Sequence, residues 1–399
     1  MSYGQSRGKH IVPLVVFLSL GSQATFGAQW AVVPALQLKA VHDDNLYLRT
    51  GPHSSAWGSA VSPRLSLSRR EENKALSLTG RLIFNRYSSN EYRDTNVQIL
   101  TLASRYNTQR DGWRLKAGYT GDTTMTTTNG ATDSANIDVG LGRVEVKRKR
   151  FDLRPSWTHI LTEQTSLTLD YRLRRVSYAQ TGNNGLVGYQ DNGVAVALER
   201  RVTERDRLSG IVQASLYEAR DTGGVDSKDY GARVNWRHEY SQTLSGNAAV
   251  GVRETSSKVG GQTNNSSGLL VNVGLVKRYS ELTTYRVILE RAVLPSGGGR
   301  VVQSDRLQAR WSRKLSPKMA VYFWAVGFRN KSVAQPSSTV DRTYYSLEPG
   351  MRWTLSRKWS LDASYRYRSQ KYKSSSQSAD SNAAFIAASY AWPLIAVSR

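Results

Sequence analysis

Residues Trp359 to Arg368 read WSLDASYRYR. Leu361, Ala363, Tyr365 and Tyr367 take every second position, with Asp362, Ser364, Arg366 and Arg368 between them. Successive side chains of an extended chain point to opposite sides, so strict alternation specifies a strand with one apolar and one wet face. In a soluble sandwich the wet face looks outward. In a membrane barrel it looks inward, and the rest of the chain decides between the two.

The same pattern recurs around short polar connectors. TEQT at Thr162, TERD at Thr203, SQT at Ser241, SELT at Ser280, SPK at Ser316 and SRK at Ser356 are separated by 41, 38, 39, 36 and 40 residues, the step expected of a hairpin repeat. REEN at Arg70 and TQRD at Thr108 extend the series toward the N-terminus. Alternating segments flank each connector, for example FDLRPSWTH before Thr162 and LTLDYRL after it. Between hairpins lie longer Gly-, Asn-, Ser- and Asp-rich stretches: 126–136, 181–185, 221–229 and VGGQTNNSSG at 259–268. Eight connectors joining strand pairs, plus one strand at each end, predict about 18 strands, within a range of 16–20. Short turns alternating with long loops are the arrangement of an all-β, transmembrane, antiparallel up-and-down β-barrel with short periplasmic turns and longer extracellular loops.

The N-terminus agrees with export. Arg7 and Lys9, then IVPLVVFLSL, then GSQATFGAQ follow the charged, apolar and small-residue order of a secretory signal peptide. Ten residues rise about 15 Å as a helix, well short of a hydrocarbon core of about 30 Å. We take 1–27 as signal and 28–399 as a single outer-membrane β-barrel domain, with Ala24 a second site compatible with cleavage. No later run approaches eighteen apolar residues, which excludes a helical membrane protein. The absence of cysteine rules out a lipid-bearing thiol and fits passage through an oxidising compartment without bridges.

Energetics orient the strands. An arginine facing lipid near the midplane costs about 2–4 kcal/mol. The arginines together would exceed a fold stability of about 5–15 kcal/mol, so they face inward. By parity the lumen receives Arg81, Arg114, Lys116, Arg150, Arg154, Arg172, Arg174, Arg233, Arg237, Arg286, Arg306, Arg310, Arg352, Arg366 and Arg368. Fewer acids share that face: Asp152, Asp170, Glu199, Glu239, Glu290, Glu348 and Asp362. The outward set includes Leu167, Leu169, Tyr171 and Leu173, then Tyr230, Ala232, Val234 and Trp236, then Ala320, Tyr322, Trp324, Val326 and Phe328. Trp113, Trp353 and Trp359 beside turns, and Tyr87, Tyr178 and Tyr189 beside loops, are read as two interfacial aromatic girdles.

The strand ending Tyr390-x-Trp392 is similar to the aromatic C-terminal strand signal of bacterial outer-membrane barrels, although PLIAVSR follows it. The chain as a whole resembles the porin-like, β-barrel porin 2 type family of Gram-negative outer-membrane proteins. VHDDNLYL (41–48), RPSWTHILTEQTSLTLDYR (154–172) and LERAVLPSGGGRVVQSDRL (289–307) carry the likeness. The resemblance implies a barrel in the cell outer membrane, often found beside exopolysaccharide systems. It implies no assigned activity.

Other motifs are weaker. LPSGGGR (294–300) reads as an anion-cradling nest or as a hairpin turn needing positive φ. HDDN (42–45) offers oxygen ligands of the kind calcium takes, or a solvated loop. The histidines after the signal are His42, His53, His159 and His238. His159 falls on the outward parity with Trp157, and no serine pairs with it as a nucleophile would, so no enzyme, catalytic residue, metal or cofactor is expected. The net charge of +24 is spread over every strand of an exported chain instead of clustering, which argues for a basic lumen and against nucleic acid. The expected function is therefore a pore passing anionic solutes or acidic saccharides, or else a non-conducting structural barrel of an exopolysaccharide export system. Expected partners are outer-membrane lipid, lipopolysaccharide, the barrel-assembly machinery and polysaccharide-export components. The step from Thr108 to Thr162 is 54 residues, so the 120–148 segment is expected to supply any constriction.

Overall fold

The computed structural model describes residues 29–89, 91–124, 145–179, 186–220, 225–259, 262–333, 341–373, 378–392 and 395–398. The signal segment lies outside them. In chain order the strands are β1 (Gln29–Asp43), β2 (Ala56–Arg70), β3 (Lys74–Tyr87), β4 (Thr95–Asn107), β5 (Asp111–Thr123), β6 (Lys147–Ile160) and β7 (Thr165–Tyr178). There follow β8 (Tyr189–Arg201), β9 (Asp206–Ala219), β10 (Asp226–Ser241), β11 (Leu244–Val259), β12 (Gln262–Arg278) and β13 (Thr283–Ser296). The last are β14 (Arg300–Lys314), β15 (Met319–Ser332), β16 (Arg342–Thr354), β17 (Trp359–Tyr372), β18 (Ser378–Ala391) and β19 (Ile395–Ser398). From β1 to β18 each strand pairs antiparallel with its sequence neighbours, and β1 pairs with both β2 and β18, so the sheet closes without an edge.

The barrel has eighteen staves. β19 is not another one: it continues the line of β18 and pairs Ile395 with Val32 through Ser398 with Gln29. Its register is one residue out of step with the Ala35↔Ala391 ladder. Residues 395–398 of the segment after Trp392 thus pair along the first residues of β1.

All eight connectors are turns at one end of the barrel. Seven of them begin with Ser or Thr for a physical reason. The hydroxyls of Thr108, Thr162, Thr203, Ser241, Ser280, Ser316 and Ser356 each accept a backbone N–H from two or three residues ahead. Such a side chain stands in for a backbone acceptor and closes a short turn. At the other end the expectation for 259–268 is corrected. β11 and β12 run on through that stretch, pairing Ser256 with Asn265 and Lys258 with Thr263, because polar β-strand residues outside a membrane lose nothing by pairing.

Face assignment follows from contacts that only an interior permits. Leu48 packs against Phe328, Tyr344 and Ala379. The Tyr217 hydroxyl on β9 donates to the Ser296 carbonyl on β13, 2.9 Å away, although these strands are not neighbours in the sheet. The opposite face exposes Leu169, Tyr171, Tyr230, Val234 and Trp236, as the alternation requires. One strand was misassigned: Ala320, Tyr322, Trp324, Val326 and Phe328 of β15 face inward. Trp324 stands opposite Arg310 and Glu348, and Phe328 opposite Arg306. The other parity, Val321, Phe323, Ala325 and Gly327, is apolar as well, so alternation carries no information there. The turn-end girdle is present, with Trp113, Trp353 and Trp359 exposed. On the loop side Tyr178 and Tyr189 instead join an inner cluster with Val146, Val176, Leu186, Tyr217 and Val301.

Gly251 lets β10 and β11 approach beside Arg233. A Cβ there would lie 2.3 Å from the Ala232 carbonyl oxygen and 2.4 Å from the Arg233 Cβ. Because backbone must shift to relieve this, Gly251→Ala is expected to destabilise the barrel by about 1–3 kcal/mol, the usual cost of overpacking, measured by urea unfolding in vesicles.

Candidate functional site: a cationic lumen narrowed at one mouth

By register the fifteen cations named above fall on one face of the sheet, the face of Phe328 and Tyr344. Register pairs place them there together: Lys116 opposite Arg154, Asp152 opposite Arg174, Arg286 opposite Arg310, Arg237 opposite Arg207, and Arg352 opposite Asp362. They fall into two groups. From mid-height toward the loop end, cations lie within 4.0 Å of a carboxylate, three of them sharing Asp152. Arg174 and Arg150 reach Asp152 at 2.7 and 3.1 Å, with Arg154 at 3.9 Å, and Arg172 reaches Asp191 at 3.0 Å. Arg368 is fully buried and meets Asp43 at 2.8 Å. Arg148, missed from the sequence, meets Asp122 at 2.6 Å.

Toward the turn end the balance changes. Arg114 and Lys116 lie near the start of β5, Arg237 near the end of β10, Arg286 near the start of β13 and Arg310 near the end of β14. Arg81 and Arg233 lie nearer the middle. Among the described residues none of these seven has a carboxylate within 4.0 Å. Arg81 donates to Gln37 at 2.9 Å, Arg114 to Thr158 at 3.3 Å, and the Arg310 guanidinium sits 4.1 Å from the Trp324 ring centroid. Arg352 is the exception, held by Asp362 at 3.0 Å. Arg366 lies over the Phe385 ring, 4.6 Å from its centroid, and Arg306 stands opposite Glu290.

Among the described residues the lumen is narrowed by the β13–β14 tip, while most of the 120–148 segment expected to narrow it, residues 125–144, lies outside them. Val146 contributes to a cluster beneath that tip, which folds into the lumen. Ser296 and Val302 are fully buried, and Val301 packs on Tyr189 and Tyr217. Beyond the Tyr217 bond, the carbonyls of Gly297 and Gly299 accept the Val187 and Val225 N–H groups, each at 2.8 Å. The glycines of LPSGGGR therefore work as turn residues, Gly299 at φ 74°, with carbonyls engaged across the lumen. The β1–β2 loop enters from the other side. Leu48 inserts toward Phe328, the Leu48 carbonyl accepts Gln370 Nε2 at 2.9 Å, and burial together with a 2.7 Å bond to Glu145 raises the Tyr47 phenol pKa.

The HDDN oxygens are spent on this loop. Asp43 holds Arg368 and Ser381, Asp44 holds the Asn382 backbone and side-chain amides, and Asn45 donates to the Asp380 carbonyl. No group of three metal-ligating side chains occurs among the described residues. His159 lies outward with Trp157, as its parity predicts, and pairs with Asp111.

Residues 216–390 match the family model described as "Putative beta-barrel porin 2". The match covers under half of the chain, and the whole chain has the fold of a closed eighteen-stranded antiparallel β-barrel. It is similar to the FrpB iron transporter from Neisseria meningitidis (F5-1 variant, apoprotein form) at 10% identity and a TM-score of 0.50, over 86% of this chain. The match spans 62% of that transporter's length, and at such identity the likeness is one of fold. The outer membrane protein OpdK from Pseudomonas aeruginosa aligns at 11% identity and a TM-score of 0.46, over 90% of this chain and 99% of its own. OpdK with vanillate aligns at 11% and 0.45, over 92% and 100%. No curated protein matches. The short-turn end, where β1 starts and β18 ends, corresponds to the periplasmic end of outer-membrane barrels, and the constricted mouth to their extracellular end.

Proposed function

We propose that the barrel is a passive, anion-favouring pore for anionic solutes or acidic saccharides, exported by its N-terminal signal and inserted by the barrel-assembly machinery. The observation that carries this reading is the group of lumen cations without carboxylate partners in the periplasmic half. Fixed charge of one sign in a confined aqueous path raises the local concentration of counter-ions and biases which ions pass. Toward the extracellular mouth, by contrast, Arg150, Arg154, Arg172, Arg174 and Arg368 each lie within 4.0 Å of a carboxylate, so this reading assigns selectivity below the constriction. Substituting Ser for Arg233, Arg286 and Arg310 together is expected to shift the reversal potential in planar bilayers toward zero under a salt gradient. Unchanged anion preference would overturn the proposal. Arg172 is unsuited to this test because its loss strands Asp191.

One observation favours a second reading. The β13–β14 tip and the Asn45–Leu48 segment both occupy the extracellular mouth, as they would in a non-conducting barrel partnered with envelope or exopolysaccharide export. On that reading purified protein shows no channel events, and deletion of the protein reduces surface polysaccharide while small-anion uptake stays unchanged.

A further inference from the structure

Two hairpins carry the same constellation on the lipid-facing side of the periplasmic rim. The turn Thr108-Gln109-Arg110-Asp111 precedes β5, and Trp157-Thr158-His159 ends the neighbouring β6. The turn Thr203-Glu204-Arg205-Asp206 precedes β9, and Trp236-Arg237-His238 ends β10. In the first copy Asp111 Oδ1 accepts the Trp157 indole N–H at 2.9 Å and meets His159 Nδ1 at 2.8 Å. In the second, Asp206 Oδ1 accepts the Trp236 indole at 2.9 Å and meets His238 Nδ1 at 2.6 Å. The backbone repeats as well: Ile160 N–H donates to the Arg110 carbonyl at 2.8 Å and Glu239 N–H to the Arg205 carbonyl at 3.0 Å. In each copy the imidazole lies against the indole, with ring centroids 5.7 and 5.3 Å apart.

Each copy leaves the same groups unused. The Asp engages Nδ1, so Nε2 of His159 and of His238 has no partner among the described residues. Arg110 and Arg205, each one residue before the Asp, are exposed and likewise have no side-chain partner among the described residues. A carboxylate on Nδ1 fixes the imidazole's orientation. An interfacial indole, a steered imidazole and an exposed guanidinium at membrane depth together suit a phosphate bearing acyl chains. Exposed Leu161, Val202 and Tyr240 beside these clusters supply the apolar contact.

We propose that these clusters are two equivalent sites for the phosphate of a glycerophospholipid in the periplasmic leaflet. They are independent of whether the lumen conducts. Four strand spacings separate the two histidine strands, about 19 Å, which is too far for one headgroup to bridge, so two lipids bind per barrel.

Native mass spectrometry of the full-length mature barrel, released from phosphatidylglycerol micelles at rising collision energy, tests this. Wild type is expected to retain two phospholipids, R110Q/H159Q one, and R110Q/R205Q/H159Q/H238Q none. R110Q/R205Q alone alters only exposed turn side chains and leaves every hydrogen bond above in place, and it is expected to weaken retention at least severalfold. Inorganic phosphate and soluble glycerophosphate at equal concentration are expected not to displace the lipid. Retention unaltered in R110Q/R205Q, equal retention of a phosphate-free glycolipid, or displacement by free phosphate would each overturn the proposal.

Discussion

A variant in which Asn-Gly replaces Leu294–Val302 is expected to conduct severalfold more than wild type in single-channel recording, with less frequent closure. The join is geometrically clean. Val293 and Gln303 are register partners at the base of the hairpin, and Asn-Gly supplies the positive φ at both positions that a two-residue turn between antiparallel strands requires. What disappears is the part that folds inward: fully buried Ser296 and Val302, and three hydrogen bonds from Tyr217, Val187 and Val225 that anchor the tip on β9 and on the loops before β8 and β10. Their loss opens Tyr189 and Tyr217 to lumen water, where amphipathic rings are tolerated. A milder variant, Tyr217→Phe, removes one anchor, worth about 0.5–1.5 kcal/mol, and is expected to raise the frequency of openings without changing the fully open level. Equal conductance in wild type and the shortened variant would mean that the ions take a path the tip does not obstruct.

The hairpin tip also marks where periodicity stops being informative. Alternation gave the faces of β7 and β10, because each has one polar and one apolar parity. The Ser- and Thr-led connectors gave the turns, because a hydroxyl at that position closes the backbone locally. β15 failed because Val321, Phe323 and Ala325 are as apolar as Tyr322, Trp324 and Val326, and only the opposing Arg310 and Glu348 break the tie. LPSGGGR is legible as a turn, but nothing local states that it bends inward. That depends on Tyr217, 79 residues from Ser296 in the chain. The acids Asp122 and Asp191, and the ion-pairing role of Asp43 within HDDN, are not legible for a related reason. They sit at strand ends that extend beyond the apolar band, where charge has no membrane penalty and so leaves no periodic trace. The unpaired cations nearer the periplasmic end were legible because there the apolar parity frames them.

The second large effect concerns the seam where β18 closes onto β1. Arg368 is fully buried, and its Nη2 donates to Asp43 at 2.8 Å, to the Ser381 hydroxyl at 2.9 Å and to the carbonyls of Asn45 and Leu46 at 3.3 Å. Asp43, 1% exposed, also accepts from Ser381 at 2.8 Å. One guanidinium thus ties the last two strands, the first strand and the β1–β2 loop at a single point. Asp43→Ala leaves that cation in a dry site without its counter-charge, and removing one partner of a buried pair costs about 3–5 kcal/mol. Asp43→Asn is expected to cost less, since the amide oxygen still accepts. Arg368→Met is expected to fall between them: it strands two loop carbonyls and takes the counter-charge from Asp43, whose carboxylate still accepts the Asn45 N–H and the Ser381 hydroxyl. Urea unfolding in phospholipid vesicles, followed by tryptophan fluorescence, ranks the three. If Asp43→Ala unfolds within about 1 kcal/mol of wild type, the range ordinary for an exposed pair, then water reaches the seam and the extracellular mouth is more open than its packing implies. The closure of the sheet and the narrowing of its mouth are therefore tested together, because the Asp43–Arg368 contact serves both.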